Sequence, residues 1–321
     1  MADLSDIVSP TVSAIYAARA REAARAPRFE SWGISASALG HACERKLWYD
    51  LRWATAAEPP DGLRLRLFER GDIEERRIVE DLRRAGLTVE DLDPATGRQW
   101  RFALARGFLR GKADGQCRGV IEAPKANHVL EIKSMKAADW RAVAKHGLLA
   151  KKPEHWHQLH AGMMGLGIAR GLYVGVNKDT EAILIERIRH DAEEAGRQIA
   201  RVERLVDAHA APTRLKDKPD AVPCRFCPHL GVCHQGAFAR RTCRSCLHFT
   251  FTADGAGHCT RFETPQSPKA QAAGHDCPAH LYLPALVPGE QIDANPEEEW
   301  VEYRLGNGTT WRDGARTEAA A

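Results

Sequence analysis

The sequence predicts an α/β protein with a mixed sheet, followed by a small cysteine-rich module. Alternating or apolar runs broken by glycine at 98–135 indicate a group of antiparallel strands. A helical pattern at 153–168 then precedes a second strand pair at 171–188, and this alternation of strands and helices is typical of an α/β core. The module is predicted because seven of the nine cysteines follow the polar, proline-bearing linker after Thr213.

The length and composition limit how this fold is organised. The chain has 321 residues, 44% of them hydrophobic, which is enough for one full core and a smaller appended module. We expect an N-terminal helical segment at 1–34, a core at 35–235 and a cysteine-rich module with the tail at 236–321. The last residues, GARTEAAA, are expected to be disordered.

Charge and hydropathy narrow the classes of function. The net charge is only +3, so a binding site for a polyanion has to come from local clustering of basic residues. No apolar run approaches the length of a spanning helix, and the start shows no signal-peptide pattern. We therefore expect a cytoplasmic protein from a bacterial or phage setting, with no membrane partner and with reduced cysteines available as metal ligands.

Four helices are predicted by periodicity and capping residues. Residues 5–26 read as an amphipathic helix that Pro10 interrupts near its start. The helix at 153–168 belongs to the core, and the helix at 191–208 begins with Asp191 as its cap. Residues 63–85 form the strongest pattern, ending at Gly86. Its expected apolar face consists of Leu67, Ile73, Ile78, Val79 and Leu82.

A fifth, short helix combines basic and aromatic residues. It carries Cys43 and follows the candidate caps Ser35 and Ser37. Two interpretations of its side chains stay open: contact with phosphates and stacking on bases, or inward packing of the two aromatic rings. The residues concerned are Arg45, Lys46, Trp48 and Tyr49.

The segment HVLEIKSM carries the candidate chemistry. Side chains alternate along a strand, so Glu131 and Lys133 share one face while Leu130 and Ile132 point to the core. Together with Asp114 of GKADG, they supply hard oxygen ligands for a divalent ion and a lysine that orients water during phosphodiester hydrolysis. Taken alone, an E-x-K pattern is common on exposed strands and indicates little.

Two groups of cysteines have metal-ligand spacing. Cys43 with Cys224-x2-Cys227-x5-Cys233 provides four thiolates, which suit one [4Fe-4S] cluster or one tetrahedral zinc ion. The second group predicts a zinc-ribbon-like module, with His248, His258 and His275 as substitute ligands and reduced thiols on a loose tail as the alternative. Its members are Cys243, Cys246, Cys259 and Cys277. Cys117 is expected to be a buried thiol without a partner.

Asp114, sixteen intervening residues and then Glu131-Ile132-Lys133 resemble the core motif of PD-(D/E)xK nucleases. The flanking cysteines resemble the RecB-type iron-sulfur branch of that superfamily, which includes the AddB nuclease domain and CRISPR-associated single-strand exonucleases. The resemblance extends over 35–233. It implies a restriction-endonuclease-like core, with a mixed central sheet flanked by helices and closed by a [4Fe-4S] cluster on Cys43, Cys224, Cys227 and Cys233.

The resemblance also implies roles for individual residues. Asp114 and Glu131 would bind Mg²⁺ or Mn²⁺, and Lys133 would position the attacking water. Glu75, four residues after Gly71, matches a further metal ligand, although Glu74 stands beside it. Gln158 matches a supporting glutamine on the helix after the E-x-K strand. The tyrosine that the family has four residues further on is replaced by Gly162, and His155, His157 and His160 are expected on the surface or in the DNA groove.

These implications predict a metal-dependent DNA exonuclease acting in phage or bacterial recombination, DNA processing or CRISPR adaptation. Its partners would be DNA and a recombination or single-strand annealing protein. A non-catalytic DNA-binding or assembly protein on a degenerate nuclease fold is the alternative, and a purely zinc-based regulatory protein is a third. The candidate phosphate contacts are Arg45, Lys46, Arg110 and Lys112.

Overall fold

The structure is a computed structural model that describes residues 9–26 and 31–314. It shows a mixed α/β fold, which confirms the predicted fold class. The first residues of the helix predicted at 5–26 and residues 315–321 of the tail predicted to be disordered lie outside the described residues. Gly314, the first residue of that predicted tail, is instead the last residue of a strand. None of the helices in the described ranges combines the length and the apolar character needed to span a bilayer.

The described helices and strands are as follows. The helices are α1 (Pro10–Ala24), α2 (Glu44–Leu51), α3 (Gly62–Arg84), α4 (Ala137–His146), α5 (Leu148–Lys151), α6 (Pro153–Leu166), α7 (Ala192–Asp207), α8 (Leu230–His234) and α9 (Pro268–Ala272). The strands are β1 (Ile34–Ser35), β2 (Thr88–Glu90), β3 (Trp100–Leu104), β4 (Leu109–Ala113), β5 (Gly115–Arg118), β6 (His128–Met135), β7 (Arg170–Asn177), β8 (Ile183–Arg189), β9 (Phe249–Phe251), β10 (Gly257–Cys259), β11 (Thr264–Gln266), β12 (Gly289–Asn295), β13 (Trp300–Leu305) and β14 (Thr310–Gly314).

The chain divides into two compact units, and the first contains the larger sheet. This unit comprises Met1–Phe29, Ala57–Arg101 and Lys112–His190. Its sheet has the order β2-β5-β6-β7-β8, in which β6 and β7 are parallel and the other pairs are antiparallel. A parallel pair needs a long crossover, and α4, α5 and α6 supply it between β6 and β7. The sequence indicated α6 and the β7–β8 hairpin but not α4 or α5.

Helix α3 covers one face of this sheet. It begins where the Asp61 side chain accepts a hydrogen bond from Arg64 N and ends before Gly86, whose φ of +90° suits glycine. Ile78, Val79 and Leu82 are buried as predicted. Leu67 and Ile73 are 58% and 40% exposed, so their predicted burial is wrong. The first half of α3 contacts α1, a helix that buries none of its own residues and covers that half only partly.

Strand β6 is covered on both faces. Leu130 and Ile132 pack in one apolar cluster with the buried residues of α3, and Cys117 lies in the same cluster. Val129 and Met135 belong to a second cluster that includes residues of α6. The predicted core face of β6 and the predicted burial of Cys117 are therefore confirmed. Glu131 and Lys133 share their face of the strand with Val129 and Met135.

The second unit contains the cysteine-rich segments. It comprises Glu30–Ala56, Phe102–Gly111 and Asp191–Ala321. Asp191 caps α7 as predicted, accepting a hydrogen bond from Glu194 N. Helix α2 lies against α7, where Glu44 pairs with Arg201 and Arg204.

Two small antiparallel sheets complete the second unit. One has the order β11-β10-β9, and the other has the order β12-β13-β14. The turn between β13 and β14 contains Asn307 and Gly308, with φ of +82° at the glycine, as the Asn-Gly pair predicted.

Candidate active site and cysteine clusters

The strand register brings Asp114 beside the E-x-K segment. Asp114 lies between β4 and β5, and its backbone N donates a hydrogen bond of 3.2 Å to Leu130 O. Its side-chain Oδ2 accepts a hydrogen bond of 2.7 Å from Ile132 N. Lys133 Nζ donates a hydrogen bond to Glu131 Oε1. Asp114 is therefore brought from an earlier part of the chain to Glu131 and Lys133 at β6.

Glu75 of α3 joins this cluster, whereas Glu74 does not. Burial and the Asp114 carboxylate raise the pKa of Glu75 to about 7, and Lys133 opposes the shift. Gln99 Nε2 lies 3.5 Å from Glu75 Oε1. Glu74 is buried and pairs instead with Arg70 and Arg77, at 3.3 Å and 3.0 Å. Of the two adjacent glutamates, Glu75 is the one in the electrostatic field of the cluster.

The cluster has more negative than positive charge. Burial raises the pKa of Glu131, the Asp114 and Glu75 carboxylates add to this, and Lys133 opposes it. Burial also raises the pKa of Asp114, against the effects of Lys133 and the Ile132 N–H. Burial lowers the pKa of Lys133, but the surrounding carboxylates outweigh this effect and raise it. Three carboxylates and one ammonium leave an excess of negative charge that suits a divalent cation.

Residues on α6 and β7 lie next to this cluster. Tyr173 is directly opposite Glu131 in the parallel register of β6 and β7, and it is fully buried. Its hydroxyl is 2.9 Å from His155 Nδ1. Gln158 follows His155 by three positions on α6, so both lie toward the same side of the helix. Gly162, which replaces the family tyrosine, is buried in this helix.

Sequence reasoning missed part of this arrangement. Tyr173 and Gln99 were not recognised, and their alignment with the carboxylates depends on pairing between distant segments. The expectation of a surface or groove position is wrong for His160, which is 2% exposed and stacks on Trp156. A signal for Tyr173 was available in the apolar run of β7, where a tyrosine hydroxyl needs a buried partner.

The candidate phosphate contacts have protein partners in most cases. Lys46 pairs with Asp50 at 2.6 Å, and the Arg45 guanidinium lies 5.7 Å from the centre of the Tyr49 ring. Arg110 lies over Trp32 and 3.5 Å from Asp254. Lys112 is exposed on β4.

The alternative left open for the aromatic residues of α2 is decided by their burial. Trp48 and Tyr49 are 0% and 2% exposed. Trp48 Nε1 also donates a hydrogen bond of 2.9 Å to Ala208 O. Both rings pack inward, so neither is available for stacking on bases.

The cysteines of the first group lie at the start of α2, in the segment just before α8 and on α8 itself, and 224–234 is called the α8 segment. Cys43 is the N-cap of α2, Cys224 begins a short 3₁₀ helix that Cys227 caps, and Cys233 lies on α8. Burial raises the pKa of Cys227, and the Cys43 thiol adds to this, so the two sulfurs are neighbours. The His229 N–H donates a hydrogen bond to Cys227 and lowers its pKa.

A buried histidine links these segments. His229 Nε2 is 2.8 Å from Asp50 Oδ1, and its Nδ1 is 3.0 Å from Thr55 Oγ1. His229 is 3% exposed. His229 therefore joins the loop that carries Cys227 to the C-terminal end of α2, the helix whose N-cap is Cys43.

The second cysteine group lines a single cavity, shared with His248 and His280. The four thiols are those of Cys243, Cys246, Cys259 and Cys277. Burial and the other three thiols raise the pKa of Cys243 to about 11. Nε2 of His248 and Nδ1 of His280 are buried and have no hydrogen-bond partner among the described residues. Of the three histidines predicted as substitute ligands, His248 lines this cavity, and His280 had not been recognised.

The backbone leaves space around these sulfurs. A Cβ atom added at Gly274 would lie 2.7 Å from Cys243 Sγ and 2.4 Å from Cys243 N. The backbone N–H groups of His248 and Leu281 donate to the Cys246 sulfur. Thiols that line one cavity, backbone donors to sulfur and buried imidazole nitrogens are among the donor types found in zinc sites.

The side chains of these three groups do not form finished metal sites. Within residues 9–26 and 31–314, no three or more His, Cys, Asp or Glu side chains are already arranged around a common metal position. In the carboxylate cluster, the Lys133 ammonium is bonded to Glu131. The donor types of all three groups nevertheless fit the ions that the sequence predicted, hard oxygens for Mg²⁺ or Mn²⁺ and thiolates for iron-sulfur or zinc.

Comparisons with known proteins found similar structures but no similar sequence. No known protein family matches the chain, and no curated protein matches it. The alkaline exonuclease LHK-Exo from Laribacter hongkongensis is 16% identical, with a TM-score of 0.39 over 60% of this chain and 90% of that chain. LHK-Exo in complex with dAMP gives 15% identity and a TM-score of 0.40, again over 60% and 90%. The protein SSO0001 gives 15% and 0.38, over 71% of this chain and 98% of that chain.

Proposed function

We propose that this protein is a Mg²⁺- or Mn²⁺-dependent DNA exonuclease. The observation that supports the proposal is that four side chains cluster at β6, those of Glu75, Asp114, Glu131 and Lys133. These residues come from separate segments, and an exposed strand with an accidental E-x-K pattern would not bring two further carboxylates to it. An excess of carboxylates around one lysine is the side-chain set that metal-dependent phosphodiester hydrolysis requires.

Each side chain has a distinct proposed role. Asp114, Glu131 and Glu75 would hold the ion, and when bound, the ion supplies polarisation of the phosphate and a lower pKa for the attacking water. Lys133 would release the Glu131 carboxylate for metal binding, and its ammonium would orient the attacking water and offset the charge that develops on the phosphate. The hydrogen bond from the Ile132 N–H would hold the Asp114 carboxylate in place while Lys133 releases Glu131. Gln158 would support the site from α6.

The raised carboxylate pKa values also fit a cation site. Carboxylates that repel each other in a buried setting hold protons when no cation is present. Glu75, Asp114 and Glu131 would exchange those protons for a bound divalent ion, whose stronger counter-charge would offset the repulsion among the three carboxylates. DNA would approach through basic residues such as Lys112, which is exposed, while Arg45, Lys46 and Arg110 would first have to exchange their protein partners for phosphates.

The two cysteine groups are proposed as structural metal sites. Cys43, Cys224, Cys227 and Cys233 would bind one [4Fe-4S] cluster, which stabilises the fold by joining the start of α2 to the α8 segment. Cys243, Cys246, Cys259 and Cys277 would bind one Zn²⁺ in a zinc-ribbon-like module, for which the shared cavity and the space at Gly274 are the support.

The setting that we propose is DNA recombination, processing or CRISPR adaptation in the cytoplasm of a bacterium, by a bacterial or phage protein. The cysteine-rich module at 236–321 would add a surface for DNA or for a recombination or single-strand annealing protein. Deleting residues 242–321 tests this role. Unchanged DNA affinity and processivity in the shortened protein would exclude it.

Digestion of end-labelled DNA tests the proposed activity. Protein purified anaerobically is incubated with labelled single- and double-stranded DNA and Mg²⁺ or Mn²⁺. We expect release of nucleotides by the wild type and a loss of at least about 100-fold in Asp114→Asn and in Glu131→Gln. Glu122→Gln is the matched control, because Glu122 is exposed before β6 and, within the described ranges, only its backbone oxygen accepts a hydrogen bond, from Arg187. Equal digestion by all four proteins would refute the site.

A further inference from the structure

A histidine and a tyrosine form a hydrogen-bonded pair at the edge of the carboxylate cluster. Their rings are stacked, with centroids 5.9 Å apart and an interplanar angle of 27°. The Tyr173 hydroxyl and His155 Nδ1 are 2.9 Å apart. Tyr173 is fully buried, whereas His155 is partly exposed. One side of the imidazole is therefore fixed by the protein, while the residue as a whole remains partly accessible.

The buried hydroxyl determines which nitrogen of His155 carries the proton. Among the described residues, His155 Nδ1 is the hydrogen-bond partner of the Tyr173 hydroxyl, and His155 Nε2 has no partner. A buried O–H that donates to no acceptor is costly, so Tyr173 donates and Nδ1 accepts. The proton of the neutral imidazole is then on Nε2. His155 consequently presents an N–H donor on its unbonded side.

The surroundings keep this imidazole neutral. Burial lowers the pKa of His155 to about 4, the positive charges of Lys133 and Lys152 add to the effect, and Asp139 opposes it. Lys152 and Asp139 are themselves paired at 3.1 Å. The effect of Lys133 on this pKa means that His155 lies within electrostatic range of the lysine of the proposed active site.

We propose that His155 binds a non-bridging phosphate oxygen of the DNA strand through its Nε2–H, and that Tyr173 is a positioning residue that fixes the required tautomer. This inference rests on the proposed nuclease function. The ligand fits because a phosphate oxygen is a strong acceptor for an N–H donor. The geometry has a second support in the strand register, since Tyr173 is directly opposite the proposed metal ligand Glu131.

The neutral state of His155 separates this contact from an ordinary basic one. A lysine or arginine that binds a phosphate releases counterions, so its removal reduces the dependence of DNA affinity on salt. A neutral N–H donor releases none. Its removal should weaken DNA binding by the same factor at every salt concentration.

The test measures DNA affinity and cleavage for three variants. Affinity for a short labelled DNA strand is measured with Ca²⁺ over a range of salt concentrations, and kcat and KM are measured with Mg²⁺. His155→Ala should weaken binding by about 10-fold, the value of a hydrogen bond to a charged acceptor, with an unchanged salt slope. His155→Gln should recover part of the affinity because its amide places an N–H near the position of Nε2.

Tyr173→Phe examines the positioning role. It keeps the ring in the apolar cluster but removes the hydroxyl that accounts for the tautomer. We expect a smaller rise in Kd than in His155→Ala, on the same DNA and again without a change in salt slope. His146→Ala is the matched control, since His146 is exposed at the end of α4.

The outcomes separate this inference from the proposed function. If His155→Ala binds DNA like the wild type, the phosphate contact is wrong, even when the wild type is an active nuclease. A salt slope that falls by about one unit in His155→Ala would show a charged contact and would also overturn it. A wild type that binds DNA without cleaving it would refute the nuclease, and the Kd comparison would still decide on His155. Failure of His155→Gln to recover any affinity would count against a donor at Nε2.

Discussion

Replacement of Glu75 by glutamine should make the metal-free protein more stable at alkaline pH. The pKa of Glu75 is raised from 4.5 to about 7 by burial and by Asp114. The folded protein therefore holds a proton on Glu75 over a pH range in which the unfolded chain has lost it. Stability associated with this proton is complete below the unfolded pKa and is lost as the pH rises through the folded value. A glutamine does not titrate, so Glu75→Gln lacks this loss.

The structure sets the size of the effect. A rise from 4.5 to about 7 corresponds to roughly 3 kcal/mol of unfolding free energy between low and high pH. Because Glu75 is partly exposed, water screens its interactions, and we expect about 1–2 kcal/mol. For a chain of this size such a change is equivalent to a shift of several degrees in melting temperature.

The assay is urea unfolding of the wild type and Glu75→Gln in a chelator, at about pH 5 and about pH 8. The unfolding free energy of Glu75→Gln minus that of the wild type should be larger at about pH 8 than at about pH 5. Glu80→Gln is the matched control, because Glu80 lies on the same helix in an exposed pair with Arg84. A difference that is the same at both pH values, or that moves the other way, would refute the buried carboxylate cluster.

Addition of Mg²⁺ should stabilise the wild type more than Glu75→Gln at the higher pH. The ion competes with protons for the carboxylates, so it should stabilise the wild type more at about pH 8 than at about pH 5. Glu75→Gln should gain less from Mg²⁺ at the higher pH because it has lost one oxygen ligand with a charge. Equal gains in both proteins would show that Glu75 is not a ligand.

Two further predictions concern the second unit. Gly274→Ala should lower the zinc content measured by elemental analysis from one ion per chain towards none, because the added methyl group would collide with Cys243. Gly306→Ala should keep its zinc, because no described residue other than the two adjacent ones has an atom within 4 Å of the added carbon, and retention of zinc by both variants would exclude the site. Arg244→Lys should lower the unfolding free energy by about 3 kcal/mol or more, because lysine cannot replace the buried guanidinium that bonds Gln271 and three backbone oxygens. Urea unfolding measures this loss, and a loss below about 1 kcal/mol would contradict it.

Much of the fold was predictable where local chemistry decides it. The alternation in HVLEIKSM, the Asp191 cap and the Asn-Gly turn before β14 all act within a few residues, and the structure confirms them. Leu67 and Ile73 were expected on the buried, apolar face of α3 because helical periodicity identifies that face. Periodicity does not show whether another element packs against it, and both residues are exposed. The exposed α1 supplies too little cover to bury them.

The site depended more on long-range pairing. Helical periodicity distinguishes Glu74 from Glu75 only when it is known which side of α3 faces the sheet. In the structure, Glu74 pairs with Arg70 and Arg77. The opposition of Tyr173 to Glu131 depends on the register of a parallel pair separated by a crossover of three helices. No pattern within either strand contains that register.

The most direct test of the proposed active site is the initial rate of nucleotide release from linear DNA as a function of Mn²⁺ concentration, for the wild type and Lys133→Ala. We expect a rate that is zero without metal, saturates with Mn²⁺ in the wild type and falls at least about 100-fold in a folded Lys133→Ala. A wild type that releases nucleotides equally well in chelator, or a Lys133→Ala protein as fast as the wild type, would contradict the account.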